Sequence, residues 1–440
     1  MKINRLRQLL AMPLILLGVT SMWSCMKEEA TGCPEFEGDP YLTLSLQLPK
    51  TTPSTYALSA MEENAISALD VLVFKVDPED VTKEYFLYRV ATADITDITN
   101  TTVTGNRKSY RVKLRMSEAD ARHRLVLVAN QRSAIDANVA TADVGVTLKE
   151  TMLQRLTFAT SAVWVADSGD AGYKSIPMWG EARNTHVVTK TTTTESIGTI
   201  GMVRALARFD VGVKYNATYV AQGLDNFLLT DIYVYNSTNM ASGVPAAANY
   251  SKDSQGFATV STVTIPAGAN IISNFKPLHY ALATGRKSLE STIYIPETKA
   301  LNYGATPTVA QMQGQFCLVV GGYYSTAAQV ADATPNTTTK SYYRIDIYDR
   351  LQTAPQGNLL DILRNRLYKV SITNVPGPGT KTPFEALTQT PLGFTSTVLQ
   401  WDAGGTDGNV STDNDNYDGD ETIVDPWDDG GKNEDINVNK

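Results

Sequence analysis

Apolar and polar side chains alternate along most of this chain, the signature of strands with one buried face. Leucine fills every second position of Tyr41–Leu48 (YLTLSLQL), placing Leu42, Leu44, Leu46 and Leu48 together on one side. Pro49 ends that strand, and a polar linker of small residues follows as far as Ala60. Leu69–Val76 (LDVLVFKV) is apolar on both faces and reads as a central strand. Tyr110, Val112, Leu114 and Met116 alternate with Arg111, Lys113 and Arg115, so one face is core and the other is wet; Leu125–Ala129 follows. Val203, Ala205, Ala207, Phe209, Val211 and Val213 keep strict alternation. Further strands are predicted over 227–235, 258–265, 292–295, 316–320, 342–348, 367–373 and 395–401. A helical stripe shows only over 146–158, where Leu148, Met152, Leu153 and Leu156 share a face.

Many short strands at modest spacing make an all-β chain built of β-sandwiches. The Thr-rich stretch Thr189–Thr194 is the expected internal boundary, giving sandwich domains over 41–192 and 196–401 with short helices in the connections. No short-period repeat is evident, although the halves are long enough to share an architecture. Residues 402–440 turn rich in Asp, Asn and Gly and are expected to form a disordered, flexible tail.

The first residues change the compartment. Lys2, Arg5 and Arg7 precede an apolar run from Leu9 to Val19, and Ser21–Ser24 then leads to Cys25. A basic head, a short apolar segment and small residues before a cut form a secretory signal over 1–24. The apolar run is too short to span a bilayer, which takes about 20 helical residues. A cysteine at the cut is similar to a bacterial lipoprotein signal, with Met22 where Leu is usual. Cys25 is therefore the candidate lipidation site, 25–40 a tether to outer-membrane lipid, and the rest an envelope protein.

Charge and candidate chemistry narrow the function. The net charge is -8. From Asp402 onward 12 acidic residues face 2 lysines, a net of -10, which leaves about +2 for everything before it. A near-neutral body with an acidic tail excludes a nucleic-acid partner, which needs a basic face. Of Cys25, Cys33 and Cys317, the last sits in an apolar run and reads as a buried free thiol. His123, His186 and His279 stand far apart with no metal or triad spacing, and His123, flanked by Arg122 and Arg124, reads as a surface residue. No catalytic motif, metal site or cofactor site is nominated, so the chain is read as a non-enzyme. Asn414–Asp420 with Asp425 only superficially matches a calcium loop, lacking the first Asp and the last Glu.

Several segments in order resemble the fimbrillins of Bacteroidales, the subunits of protease-assembled pili. They are the lipoprotein leader with Tyr41–Leu48, then Ile66–Phe74 (ISALDVLVF), Ile176–Glu181 (IPMWGE) and Val203–Val211 (VRALARFDV). Tyr294–Glu297 (YIPE), Tyr342–Asp346 (YYRID) and Leu363–Ile372 (LRNRLYKVSI) complete the series. The resemblance spans Cys25 to Trp401. It implies two transthyretin-like sandwich domains and a structural role in adhesion fibres on the cell surface.

It also implies how copies join. The first strand fills a groove until a protease cuts behind it, and a C-terminal strand of another subunit then takes its place by β-strand addition. Here the displaced strand is Leu42, Leu44, Leu46 and Leu48 with their neighbours. The family's familiar enzyme cuts after arginine, and this chain has none between Arg7 and Arg89. Lys50–Thr51 is the candidate processing site for an envelope protease, and Thr397, Val398, Leu399 and Trp401 mark the candidate donor strand. Two alternatives stay open. One is a lipid-anchored anchor or terminator subunit that keeps its first strand. The other is a carbohydrate-binding outer-membrane lipoprotein with Trp164 and Trp179 as stacking platforms. The expected partners are other fimbrial subunits, outer-membrane lipid, the processing protease and an adhesion receptor on host or bacteria.

Overall fold

The computed structural model describes residues 41–48, 63–99, 107–117, 121–188, 195–213, 226–284, 288–301, 306–347, 359–372, 375–389 and 395–400. Over these residues the protein is all-β, with short helices confined to connections.

In the first half, β1 (Tyr41–Gln47), β4 (Ile95–Asp97), β5 (Arg107–Lys113) and β9 (Glu195–Gly201) form a sheet in the order β4-β5-β1-β9. Facing it is a sheet of β2 (Leu69–Val76), β3 (Glu84–Arg89), β6 (His123–Ala129), β8 (Met178–Glu181) and β10 (Val203–Arg204), in the order β10-β8-β6-β2-β3. The β1 leucines, Val112 and Ile200 of one sheet meet Val71, Val73, Leu125 and Leu127 of the other in a single core. That face-to-face burial makes the half a β-sandwich.

The second half repeats the plan. One sheet runs β17 (Ser288–Pro296), β11 (Leu206–Val213), β20 (Arg366–Ile372), β21 (Thr395–Gln400). The other runs β16 (Leu278–Ala281), β12 (Phe227–Tyr235), β18 (Cys317–Tyr324), β19 (Lys340–Ile345). Phe209 stacks on Tyr368 with ring centroids 4.7 Å apart in the core between them.

The two halves share a strand order that the sequence does not show as a repeat. The succession β5-β1-β9 matches β17-β11-β20, antiparallel then parallel in both. The succession β8-β6-β2-β3 matches β19-β18-β12-β16, antiparallel throughout. β1 therefore holds the central place in the first sandwich that β11 holds in the second. Among the described residues β21 has no counterpart in the first half.

Several sequence expectations shift. The alternating run 203–213 is two strands: Val203–Arg204 joins the first half and Leu206–Val213 the second. Since Glu195–Gly201 also pairs with β1, the chain passes between halves at Ala205, not in the Thr-rich stretch before Glu195. Alternation continues across that joint because both sides of it are buried. The expected strand over 258–265 shrinks to β15 (Ala258–Val260), paired with β14 (Tyr250–Lys252). This ribbon lies against the first half, where Val244, Ala258 and Val260 join Trp179 and Leu72 in one cluster. β13 (Met240–Ser242) pairs with β7 (Thr157–Ala159) and ties the halves together again. The helix expected over 146–158 is Lys149–Gln154, and Leu148 stays partly exposed outside it. Helices Arg132–Val139, Val309–Gly314 and Ala327–Ala331 carried no amphipathic stripe long enough to predict them. His123 is a correction: it is buried, bridged by backbone to His186 rather than lying at the surface.

Candidate functional site: the seam held by the first strand

The seam is built from residue spacing upward. β-branched and leucine side chains on every second position turn to one face of a pleated strand. Leu42, Leu44 and Leu46 are fully buried and Leu48 is buried beside them. On the opposite face Thr43 and Ser45 are half-buried, and Ser45 Oγ lies 3.3 Å from Ser109 Oγ. Gln47 closes the end: its Oε1 accepts from Arg107 Nε at 2.8 Å and its backbone oxygen from Met202 N at 2.9 Å.

β1 has two partners. It pairs antiparallel with β5 from Tyr41 opposite Lys113 to Gln47 opposite Arg107. It pairs parallel with β9 from Leu42 opposite Glu195 to Gln47 opposite Gly201. The parallel register slips between Thr43 and Ser45, where Gly198 takes a φ of 85°. That left-handed backbone is open to glycine at little cost, and it lets the extra residue bulge out of the ladder. Taking β1 away would leave two facing strand edges and an apolar trough. Burial of its four leucines contributes about 6–12 kcal/mol as an upper bound, comparable to the stability of an entire domain. Burial in the same core pushes the Tyr110 phenol well above its usual range, with Asp97 adding to the effect. It pushes Tyr88 up to about 12.

The chain re-enters the described structure at Glu63, directly after the linker that follows β1. Glu63 and Asn64 are buried in a cluster of charged and polar groups formed by Arg204 of β10 with Arg208, Asp210 and Tyr294 of the second half. Glu63 Oε1 accepts from Arg208 Nη1 at 2.9 Å and from the Tyr294 hydroxyl at 2.7 Å. Arg204 Nη2 donates to Asn64 Oδ1 at 2.7 Å. Arg208 also grips both oxygens of Asp210, at 2.9 and 2.6 Å. Burial lowers Arg204 to about 10, against the raising influence of Glu63. Asp210 and Glu63 outweigh burial for Arg208 and raise it. Sequence reasoning missed this cluster because arginines alternating with apolar residues in Val203–Val211 look like a wet face. The signal available was the pair of glutamates ending a linker otherwise free of acids.

Other predicted residues are distributed as follows. Cys25, Lys50, Thr51 and Trp401 lie outside the described residues, as do the signal, the tether, the calcium-like segment and the acidic tail. Thr397, Val398 and Leu399 stand on β21, opposite Lys369, Tyr368 and Leu367 of β20. β21 is thus the edge strand of its own second sandwich. Trp164 and Trp179 are buried in the core, so neither offers a face to a sugar. Trp164 Nε1 donates to the Lys174 carbonyl at 3.0 Å. Cys317 is a buried free thiol, pushed up to about 12 by burial.

A second polar group lies on the outer face of the β16-β12-β18-β19 sheet. Asp231 accepts from His279 Nε2 at 2.9 Å and from Thr230, and pairs with Lys340 at 2.5 Å. These bonds outweigh burial and lower the Asp231 carboxyl. His279 stacks on Tyr233 at 4.4 Å. Every oxygen of Asp231 is used within the sheet, as cross-strand pairs do when they only stabilise it. Among the described residues no group of three or more His, Cys, Asp or Glu could hold a metal. No helix among them is long and apolar enough to cross a membrane.

No family model matches the sequence, and no curated protein matches it. Solved structures align along most of the chain, among them three from Bacteroides species. A candidate cell adhesion protein from Bacteroides eggerthii is 14% identical, with a TM-score of 0.41 over 82% of this chain and 96% of that one. One from Bacteroides uniformis is 10% identical, with a TM-score of 0.36 over 83% and 99%. A candidate adhesin from Bacteroides ovatus is 13% identical, with a TM-score of 0.28 over 77% and 90%.

Proposed function

We propose that this chain is a structural subunit of a cell-surface fimbria, exported as a lipoprotein precursor anchored through Cys25 and joined to other subunits by exchange of β1. One observation supports this reading above the others. β1 is central and its leucine face is buried, in the place that β11 fills in the second sandwich, yet its forward link to the fold is the single stretch 49–62. A cut in that stretch, at Lys50–Thr51, would end the high effective concentration that holds β1 in place. The vacated trough would then accept a strand with alternating apolar residues from another copy, the assigned donor being Thr395–Trp401. β21 suits the role because an edge strand leaves its sheet by breaking one ladder only. Adhesion and colonisation follow from the fibre, with an adhesion receptor as the outside partner.

The experiment is truncation of the chain before Thr395 in cells that assemble the fibre. SDS-resistant ladders should disappear, whereas unchanged ladders would reject this segment as donor. A second reading is favoured by the absence of arginine between Arg7 and Arg89. In it the chain is a lipid-anchored terminator that keeps β1, and recovery of a lipidated, uncut protein at the fibre base would select it.

A further inference from the structure

One exposed aromatic pair has no role in the seam. Phe275 is 83% exposed, and its ring stacks on that of Phe384 at 5.3 Å with 15° between planes. Single exposed apolar residues are ordinary, but two stacked phenylalanines held in fixed loops form a patch that water solvates poorly. The loops are fixed by polar bonds. Asn274 Nδ2 donates to the Gln313 carbonyl at 2.9 Å, and Ile272 N to the Ser237 carbonyl at 2.9 Å. Phe384 leads into the turn Glu385–Thr388, whose Ala386 and Leu387 are buried against Val319. Exposed Lys276 and Lys381 flank the pair in sequence, and among the described residues neither forms an ion pair.

The chain itself carries a segment of matching chemistry. Ile423, Val424 and Trp427 are apolar, and Asp425, Asp428 and Asp429 surround them within the acidic tail. The exit point is suitable. β21 ends at Gln400, opposite Arg366, and neighbouring Asn365 N donates to the Leu206 carbonyl at 2.9 Å where β11 begins. The Phe275 loop reaches that same end: Thr238 is bridged to Ile271, and its hydroxyl donates to the Glu297 carbonyl next to Pro296, which faces Leu206. The 27 residues from Gln400 to Trp427 extend to about 90 Å, far more than the path requires.

We propose that the tail segment Ile423–Asp429 docks in cis on the Phe275–Phe384 patch, its tryptophan against the ring pair and its carboxylates toward Lys276 and Lys381. The link goes beyond the fimbrial reading and does not depend on it. Covalent attachment gives the segment a high local concentration, so a weak contact suffices. Opposite charges bring it to the patch, and salt screens them over about 10 Å at 0.1 M.

Amide hydrogen exchange of the full chain tests this, comparing wild type with a variant carrying Ile423→Ser, Val424→Ser and Trp427→Ser. The substitutions fall outside the described residues, and an unchanged denaturation midpoint checks that the variant folds as wild type does. Segments 271–277 and 381–389 should exchange about tenfold more slowly in wild type, the factor for a tail docked nine-tenths of the time. Adding a synthetic 420–431 peptide to the variant should restore the protection, and Lys276→Glu with Lys381→Glu should remove it from wild type. Equal exchange in wild type and variant would overturn the proposal. Protection that rises with protein concentration would also overturn it, assigning the patch to a second copy instead.

Discussion

Leu44 is the residue on which the seam turns. It is fully buried at the middle of β1, where the core cannot collapse around a lost side chain without moving two sheets. Leu44→Ala should destabilise the first sandwich by about 2–5 kcal/mol, measured by denaturant unfolding, while Thr43→Ala on the other face should change little. Cys317 supplies a separate test. Its thiol, ordinarily near 9.0, is pushed up to about 12 by burial, and the Tyr88 phenol rises from 10.0 to about 12 for the same reason. Folded groups that hold protons the unfolded chain releases stabilise the fold fully below the unfolded values. Stability should therefore fall as pH rises from 9 to 12, and Cys317→Ala should soften the first part of that fall. A thiol reagent at pH 8 should label Cys317 only after unfolding; rapid labelling of the native protein would show the burial to be wrong.

Among elements, the turn at Glu63–Asn64 fixes the far end of the β1 linker. Removing one member of a buried ion cluster leaves the others uncompensated. Glu63→Ala strands part of the charge of Arg208 and Arg204 and should cost about 3–5 kcal/mol, read from chemical denaturation. Because the four leucines of β1 stay buried in the core, a cut at Lys50 should free the strand for exchange but not by itself expel it. Limited digestion with a lysine-specific protease should give a nicked protein from which the β1 peptide separates only on denaturation or on adding a competing strand. Strand positions were legible because alternation over Tyr110–Leu114 and the two-sided apolar run Leu69–Val76 report directly which faces are buried. The split at Ala205 was not legible, since β10 and β11 are buried on both sides and the alternation never breaks. His123 was misread for a related reason. Its neighbours Arg122 and Arg124 are charged, but Arg124 reaches Glu84 at 2.9 Å while the histidine between them is covered by the bridge to His186.

At the scale of the molecule, two sandwiches of one plan stand in tandem, differing chiefly in how their central strand is attached. β11 is joined through Ala205 alone to β10 of the first sandwich, whereas β1 is joined forward by the longer stretch 49–62. The sequence hinted at the seam through four leucines, but the equivalence of β1 and β11 is topological and leaves no repeat of residues to read. The buried ion cluster was equally hidden, because its acid and its arginines lie far apart along the chain and only tertiary pairing makes the arginines internal. The most direct test of the account is the N-terminal sequence and mass of the subunit taken from native surface filaments. The account predicts a chain that starts at Thr51, lacks Leu42–Leu48, and is absent from filaments of cells carrying Lys50→Gln. Filaments in which each copy retains that strand, paired within its own chain, would contradict it.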